Sequence, residues 1–272
     1  MPELPETETI ARDLDGVLRG AVVRSVAVLR ADVLRPDPSP AVLAPVLARA
    51  ITGVRRRAKA VVIETAEGPR LVVTPRFTGA LLLGAPDGDD PYDCLRLALD
   101  DGRVLRYRDV RRLGTVAVLD EPAWRGWEGA LGPEPLDPAL TSGRFSGILR
   151  GSRRAVKTIL MDQRRLAGVG NIYANESLWV AGLRPTRRGT SVTRREASAL
   201  LEALRDLLER SIAARGTTFR DYQDAFGGRG GFAAQLRCYG RAGEPCARCG
   251  APLRASHALE GRQTVWCAGC QR

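Results

Sequence analysis

The sequence has no run of about 18 apolar residues, so no membrane-spanning helix is expected. Its start lacks a basic region followed by an apolar stretch, which argues against a secretory signal. A cytosolic location is the expectation. No internal repeat is present, so the chain is not an array of stacked units. Lysine is scarce: only Lys59 and Lys157 stand among 42 basic residues, and arginine supplies the rest. Histidine occurs once, as His257. Cysteine is not spread along the chain, because four of the six lie from Cys246 onward. That clustering excludes a disulfide framework and points to metal binding.

What is there is a chain of 272 residues, long enough for two domains and a small third module. Hydrophobic residues at 44% support a sizeable core. The formal net charge of +11 and a pI of about 10.1 favour a polyanionic partner, nucleic acid before an anionic membrane surface. A generic arginine-rich composition accounts for the charge equally well.

The first six residues, Met1-Pro2-Glu3-Leu4-Pro5-Glu6, organise the rest. Methionine is normally removed before so small a second residue, which leaves Pro2 as a free secondary amine. An α-amino group titrates at about 7.7–8.0, so part of it is unprotonated at neutral pH. Such an amine attacks an aldehyde-level carbon and forms a Schiff base. From a secondary amine the product is a charged iminium. Glu3 and Glu6 are candidate proton donors beside it. The plainer reading is an ordinary start whose acids cap a first helix.

Apolar spacing predicts a helix over Thr7–Arg19, ended by Gly20, and a second over Ala41–Ala50. Strand-like runs are Ala21–Leu29, Lys59–Glu64, Arg70–Thr74, Ala80–Leu83, Leu95–Leu99, Val104–Tyr107 and Thr115–Leu119. Turn signals such as Ala85-Pro86-Asp87-Gly88 separate them, and many short strands suggest a sandwich or barrel over residues 1–125. Lys59 follows Arg55-Arg56-Arg57, a cluster suited to phosphates or simply a solvated basic edge. Phe77 sits in a turn-like segment and suits either a base stack or the core. Arg111-Arg112-Leu113 joins cations to an apolar tip, or is a charged turn.

Glu121 to Pro138 is proline-rich and weakly periodic, and reads as a connector between domains. Helical spacing follows at Ser142–Leu149, Ala155–Met161, Ile172–Ala181 and Arg194–Ala214. Gly168-Val169-Gly170-Asn171 opens one of these helices, with Asn171 as its expected cap and free amides suited to phosphate. Arg220 ends Gly216-Thr217-Thr218-Phe219-Arg220, and the glycine-rich stretch to Gly231 reads as a mobile loop. Cys246-x-x-Cys249 and Cys267-x-x-Cys270, with 17 residues between the pairs, predict one structural zinc ion in a closed four-thiolate shell. His257 falls outside that spacing. A β-hairpin is expected between the two pairs, carrying Arg254 and Arg262.

Met1-Pro2-Glu3-Leu4-Pro5-Glu6-Thr7-Glu8-Thr9 resembles the opening of formamidopyrimidine-DNA glycosylases, the Fpg/Nei family. So do Arg56-Arg57-Ala58-Lys59, Leu105-Arg106-Tyr107, Leu131-Gly132-Pro133-Glu134-Pro135-Leu136, Gly168 through Ser177, and Tyr239 through Cys246. The matches run in order over nearly the whole chain. The resemblance implies a multidomain α+β fold: an N-terminal β-sandwich with flanking helices (1–125), a helix-two-turn-helix domain (131–225) and a four-cysteine zinc finger (236–272). It implies double-stranded DNA with a damaged base or abasic site as partner, in a cleft between domains. A monomer is the simple expectation. Pro2 would attack C1′, with Glu3 and Glu6 assisting and Lys59 completing the catalytic set. Lys59, Asn171 and Arg262 would grip phosphates, and Arg220 is counted among the DNA-binding residues. Arg111, with Phe77 and Leu113, would fill the gap left by a flipped nucleotide. Flipping is required because C1′ is shielded in a stacked duplex. β- and then δ-elimination would cut the strand.

The chain also departs from the family pattern. Thr74 and Phe77 replace a histidine and a methionine, Leu113 replaces a phenylalanine, and Cys94 stands where a histidine is common. The loop Asp221–Phe232 has the family's length but other residues. Oxidised purines, oxidised pyrimidines, bulky adducts and abasic sites alone all stay open as substrates, as does a DNA-binding module without chemistry. Intact Pro2, Glu3 and Lys59 argue against the last.

Overall fold

Leu4–Leu18 forms α1, which starts three residues before the predicted Thr7. Pro5 lies in its first turn, where a missing N–H costs nothing because those donors have no intrahelical acceptor. The helix buries Leu4, Ile10, Leu14 and Leu18. The computed structural model describes residues 2–84 and 90–272. Met1 and the turn expected at Ala85-Pro86-Asp87-Gly88 therefore lie outside the described residues. The chain divides into two compact units, Met1–Gly129 with Ser211–Ala233, and Ala130–Arg210 with Ala234–Arg272.

The first unit holds eight strands: β1 (Val23–Val28), β2 (Ile51–Arg57), β3 (Ala60–Thr65), β4 (Arg70–Thr74), β5 (Gly79–Gly84), β6 (Asp93–Leu99), β7 (Val104–Asp109) and β8 (Thr115–Leu119). They form two antiparallel sheets, ordered β1-β6-β7-β5 and β2-β3-β4-β8. Val61, Ile63, Leu71 and Val73 from one sheet share a core with Leu81, Leu95, Leu97 and Leu105 from the other, and with Ile10 and Leu14 of α1. The outer face of the second sheet is covered by α2 (Glu121–Gly129), whose Trp124 packs on Ala60, Val62 and Val72. Both faces of β3 are thus buried, which is why its apolar run does not alternate.

Three sequence readings of this unit are corrected. The helix expected over Ala41–Ala50 is a 3-10 stretch, Pro40–Val46, because Pro45 inside it removes a donor that an α-helix needs. The following residues form strand β2, hidden in the sequence by Gly53 and three arginines. Glu121 to Pro138 is not all connector: α2 starts where Asp120 caps it, accepting from Ala123 N at 2.9 Å, with Pro122 in the first turn.

The second unit contains α3 (Ser142–Arg150), α4 (Val156–Met161), α5 (Asn171–Val180) and α6 (Arg194–Ala213), close to the helical spacing read from the sequence. The last residues of α6 fall in the first unit. Thr193 and Glu196 form a capping box at its start: Glu196 N donates to Thr193 Oγ1 at 3.2 Å, and Thr193 N to Glu196 Oε2 at 2.8 Å. The expected hairpin is β9 (Arg254–Ser256) paired with β10 (Thr264–Trp266). Residues 171–179 of α5 are buried on every side, polar ones included, so their polar groups must find partners inside.

Candidate active site and nucleic-acid interface

The start of α1 is closed by its own acids. Glu3 precedes the helix with extended backbone, and its N–H donates to Glu6 Oε2 at 2.8 Å. Glu6 is fully buried, and its other oxygen, Oε1, accepts from Thr217 N at 2.7 Å. One carboxylate therefore joins the chain start to the segment that follows α6. Gly216 precedes Thr217 at φ 86°, and a Cβ there would stand 3.0 Å from Glu6 Cγ and from Tyr222 Cε1. Only glycine tolerates both the left-handed backbone and the contact. Tyr222 donates its hydroxyl to Glu6 O at 3.4 Å, and burial followed by the Glu6 charge pushes its phenol up. Pro2 and Glu3 are buried beside this bridge.

Lys59 sits at a two-residue hairpin between β2 and β3, since Arg57 pairs with Ala60. Ala58 supplies the left-handed turn residue at φ 54°, an uncommon task for a side chain with a Cβ. Arg56, 8% exposed at its side chain, reaches α1 through Glu8 Oε2 at 2.8 Å and donates to Ala58 O at 3.1 Å. The hairpin that carries Lys59 is thereby tied to the helix that carries the chain start. The three arginines are each paired with an acid and do not all lie on one face. Strand alternation sends Arg55 to Glu64, Arg56 to Glu8 and Arg57 to Glu128.

Phe77 and Arg111 come together at the ends of the β4–β5 and β7–β8 loops, and Leu113 follows in the second of these loops. The Arg111 guanidinium lies over the Phe77 ring at 5.0 Å, and Leu113 is exposed. Buried Asp109 holds both loops: Thr78 Oγ1 and Arg111 N donate to its Oδ1, Tyr107 OH and Gly114 N to its Oδ2. Cys94 is fully buried close by, with its thiol aimed at Tyr92 O, and burial raises it to about 11. Thr74 ends β4, half-buried and paired with Thr115.

Arg220 is exposed and lines an open cleft of about 430 Å³ with Arg108, Val110, Asp221, Tyr222 and Arg229. The glycine-rich stretch beyond it is tied at several points. Ala225 O accepts from Leu83 N at 2.9 Å, and Asp224 accepts from Gly228 N, Phe226 N and Arg215. Burial opposes ionisation of Asp224, but Arg215 and those amides outweigh it and hold its carboxyl below the usual range. Arg215 also pairs with Asp13 of α1 at 2.6 Å.

In the second unit, Asn171 is the first residue of α5 and not its cap, a position taken by Gly170. Its Nδ2 donates to Gln263 O at 3.1 Å, which brings it beside Arg262 on the β9–β10 loop. Buried Lys157 donates to the same carbonyl at 2.9 Å and to Thr264 Oγ1 at 2.8 Å. Asn175 Oδ1 accepts from Val265 N at 2.8 Å. Glu176 accepts from the amides of Arg237, Cys238 and Tyr239, though burial still leaves its carboxyl raised. The turn before α5 is braced by Gln163, which accepts from Gly168 N at 2.8 Å and donates to Val169 O at 2.9 Å.

The Sγ atoms of Cys246, Cys249, Cys267 and Cys270 lie within 4.8 Å of one another, with Cys249 and Cys267 at 3.5 Å. Four thiolates at about 2.3 Å from one tetrahedral zinc ion would be about 3.8 Å apart, so the set fits that ion. His257 is exposed and outside the cluster. Arg248 fastens the knuckle to α5, donating to Trp179 O and Val180 O at 2.8 Å each and stacking on the Trp179 ring at 4.1 Å.

Residues 1–116 match the formamidopyrimidine-DNA glycosylase N-terminal domain, and residues 131–223 match the formamidopyrimidine-DNA glycosylase H2TH domain. A formamidopyrimidine-DNA glycosylase of Thermomicrobium roseum is 42% identical over 290 residues, spanning 100% of this chain and 99% of its own. The chain belongs to the formamidopyrimidine-DNA glycosylase family. The family enzyme of Novosphingobium aromaticivorans is likewise 42% identical, with both chains covered in full. The crystal structure of the MutM (Fpg) protein of Thermus thermophilus superposes with a TM-score of 0.89 at 36% identity, covering 99% of this chain and 98% of that one. A Lactococcus lactis Fpg mutant in complex with DNA containing Fapy-dG gives 0.92 at 29% identity over the full length of both. Against this family background, the residues that sequence reading missed are those holding the motifs: Asp109, Arg56, Gln163 and Glu176. Arg56 and Glu176 lie inside motifs, and Asp109 and Gln163 lie near one. Arg56 meets Glu8, Glu176 meets residues 237–239 and Asp109 meets Thr78 across long stretches of sequence, whereas Gln163 braces residues five and six positions on.

Proposed function

We propose that the chain is a base-excision-repair DNA glycosylase with AP lyase activity, acting on duplex DNA that carries a damaged base or an abasic site. The observation that carries the reading is the Glu6 bridge, which holds the Pro2-Glu3 start against the Gly216-Thr217 segment. A chain start used only to begin a helix would not need a fully buried carboxylate to fasten it.

With Met1 removed, the Pro2 nitrogen attacks C1′ of the flipped nucleotide. The C1′–N glycosidic bond breaks, and the base leaves with the electron pair and takes up a proton. Glu3 donates a proton to O4′, the sugar ring opens, and the Pro2 lone pair completes a C1′ iminium. Loss of a C2′ proton toward that iminium expels the 3′ phosphate, and loss of a C4′ proton expels the 5′ phosphate. Water then hydrolyses the Schiff base and returns the free amine. Glu6 keeps the start in place. Lys59, Asn171 and Arg262 hold phosphates, Arg220 adds a further DNA contact, and Arg111, Leu113 and Phe77 fill the vacated stack. Cys246, Cys249, Cys267 and Cys270 would hold one Zn²⁺, which when bound cross-links the finger and leaves no open position for chemistry.

Borohydride trapping on a duplex with one abasic site tests the reading, beside duplexes with 8-oxoguanine and with an oxidised pyrimidine. A covalent band that disappears in Pro2→Gly is expected, and the other lanes name the lesion class. No band on any duplex, with the initiator methionine absent by mass spectrometry, would replace the enzyme with a DNA-binding module.

A further inference from the structure

We infer that Asp109, through Thr78, is a positioning residue that joins two loops into one rigid insertion tip, an inference that rests on the function proposed above. Asp109 is 1% exposed, and its carboxylate accepts four hydrogen bonds. Oδ1 takes Thr78 Oγ1 at 2.5 Å and Arg111 N at 3.2 Å; Oδ2 takes Gly114 N at 2.8 Å and Tyr107 OH at 3.1 Å. A carboxylate offers about four lone-pair sites, so this one is saturated. None of these four donors is a cationic side chain. A buried acid served by two backbone amides and two hydroxyls shapes backbone rather than balancing charge.

The four donors divide by origin. Arg111 N and Gly114 N bracket the β7–β8 loop, Tyr107 comes from β7 below it, and Thr78 alone comes from the β4–β5 loop. Arg111 N also donates to Thr78 Oγ1 at 3.0 Å, so that hydroxyl is shared by both loops. Gly114 has no room for a side chain: a Cβ would run into the Tyr107 hydroxyl and the Thr74 carbonyl. Above this buried layer the outward residues are apolar or cationic, with Arg112 paired to Asp32 at 3.0 Å. Val110 is 42% and Leu113 39% exposed, Arg111 is exposed, and Phe77 lies under the Arg111 guanidinium. A cation and apolar side chains on a stiff point suit insertion into a base stack. A tip already ordered gives up less conformational entropy on entering it.

Thr78→Val isolates the link, because it keeps the shape, removes the one hydroxyl shared by the loops and leaves Asp109 its bonds within the second loop. Thr78→Ser restores the hydroxyl. Asp109→Asn makes a second probe, since one edge of the amide then faces a backbone N–H. Amide hydrogen exchange on the free protein reads the tip directly. A 2-aminopurine placed opposite the lesion reads stack opening at saturating protein. In Thr78→Val the amides of Arg111 and Gly114 should exchange about tenfold faster, and stack opening should slow by a similar factor. Thr78→Ser should return both to the wild-type values, with affinity for undamaged duplex unchanged in either variant. Wild-type exchange and opening in both Thr78→Val and Asp109→Asn would overturn the inference. Faster exchange with normal opening would reduce Asp109 to a scaffold and overturn its role in insertion. A wild-type protein that neither opens nor cuts any damaged duplex, yet shows the exchange difference, would overturn the proposed function and the positioning role with it.

Discussion

Glu6→Gln changes one atom of the bridge and leaves its volume intact. The carboxylate accepts from Glu3 N at 2.8 Å through one oxygen and from Thr217 N at 2.7 Å through the other. An amide has a single oxygen, so its NH₂ must face one of those two N–H groups. One charge-assisted hydrogen bond is lost, and a buried donor is left against another donor. Together these cost about 2 kcal/mol. The side chain is fully buried, so water cannot offset the loss. Denaturant unfolding should register this as a lower midpoint at unchanged slope. If the bridge also aims Pro2, the same energy enters the barrier, and single-turnover trapping on an abasic duplex should slow by up to about 30-fold. Trapping at saturating protein separates that effect from weaker binding. A variant that loses stability but traps at the wild-type rate would refute the positioning argument. One that loses neither would refute the bridge itself.

Other outcomes follow from the same geometry. Arg187 holds Glu196 with two bonds of 2.6 and 2.8 Å, and that pairing foremost depresses the Glu196 carboxyl from 4.5 to about 2. The stability it adds is complete above about pH 4.5 and is lost as pH falls toward 2. The partial exposure of both side chains limits it to about 1 kcal/mol, and Arg187→Ala should flatten that part of the stability–pH curve. Arg56→Ala should free the Lys59 hairpin from α1 and weaken binding to an abasic duplex about fivefold by fluorescence anisotropy, while trapping at saturation persists. Cys246→Ser should release bound zinc in a chelator assay and lose DNA affinity; full retention of both would remove the four-cysteine site from the account.

Local pattern alone defined much of this protein. The paired Cys-x-x-Cys spacing, the four helices after residue 140 and most strands of the sandwich were legible, because each rests on short-range periodicity or on a chelate geometry between near neighbours. The Pro2-Glu3 start was legible as a proposal, because an amine and an acid stand side by side there, although the same residues also suit a plain helix start. Strand β2 was not legible, since Gly53 and three arginines erase the alternation, and each arginine answers to an acid that only the fold supplies. Helix α2 carried a readable signal, Asp120 followed by Pro122, masked by the prolines beyond it. Only the tertiary structure decided that residues 211–233 return to the first unit, where Thr217 meets Glu6 across 211 positions of sequence. It likewise decided that Thr78 meets Asp109 and that Lys157 and Asn171 meet Gln263. A buried polar group must find a partner, but neither its type nor its local spacing says which distant backbone will deliver one.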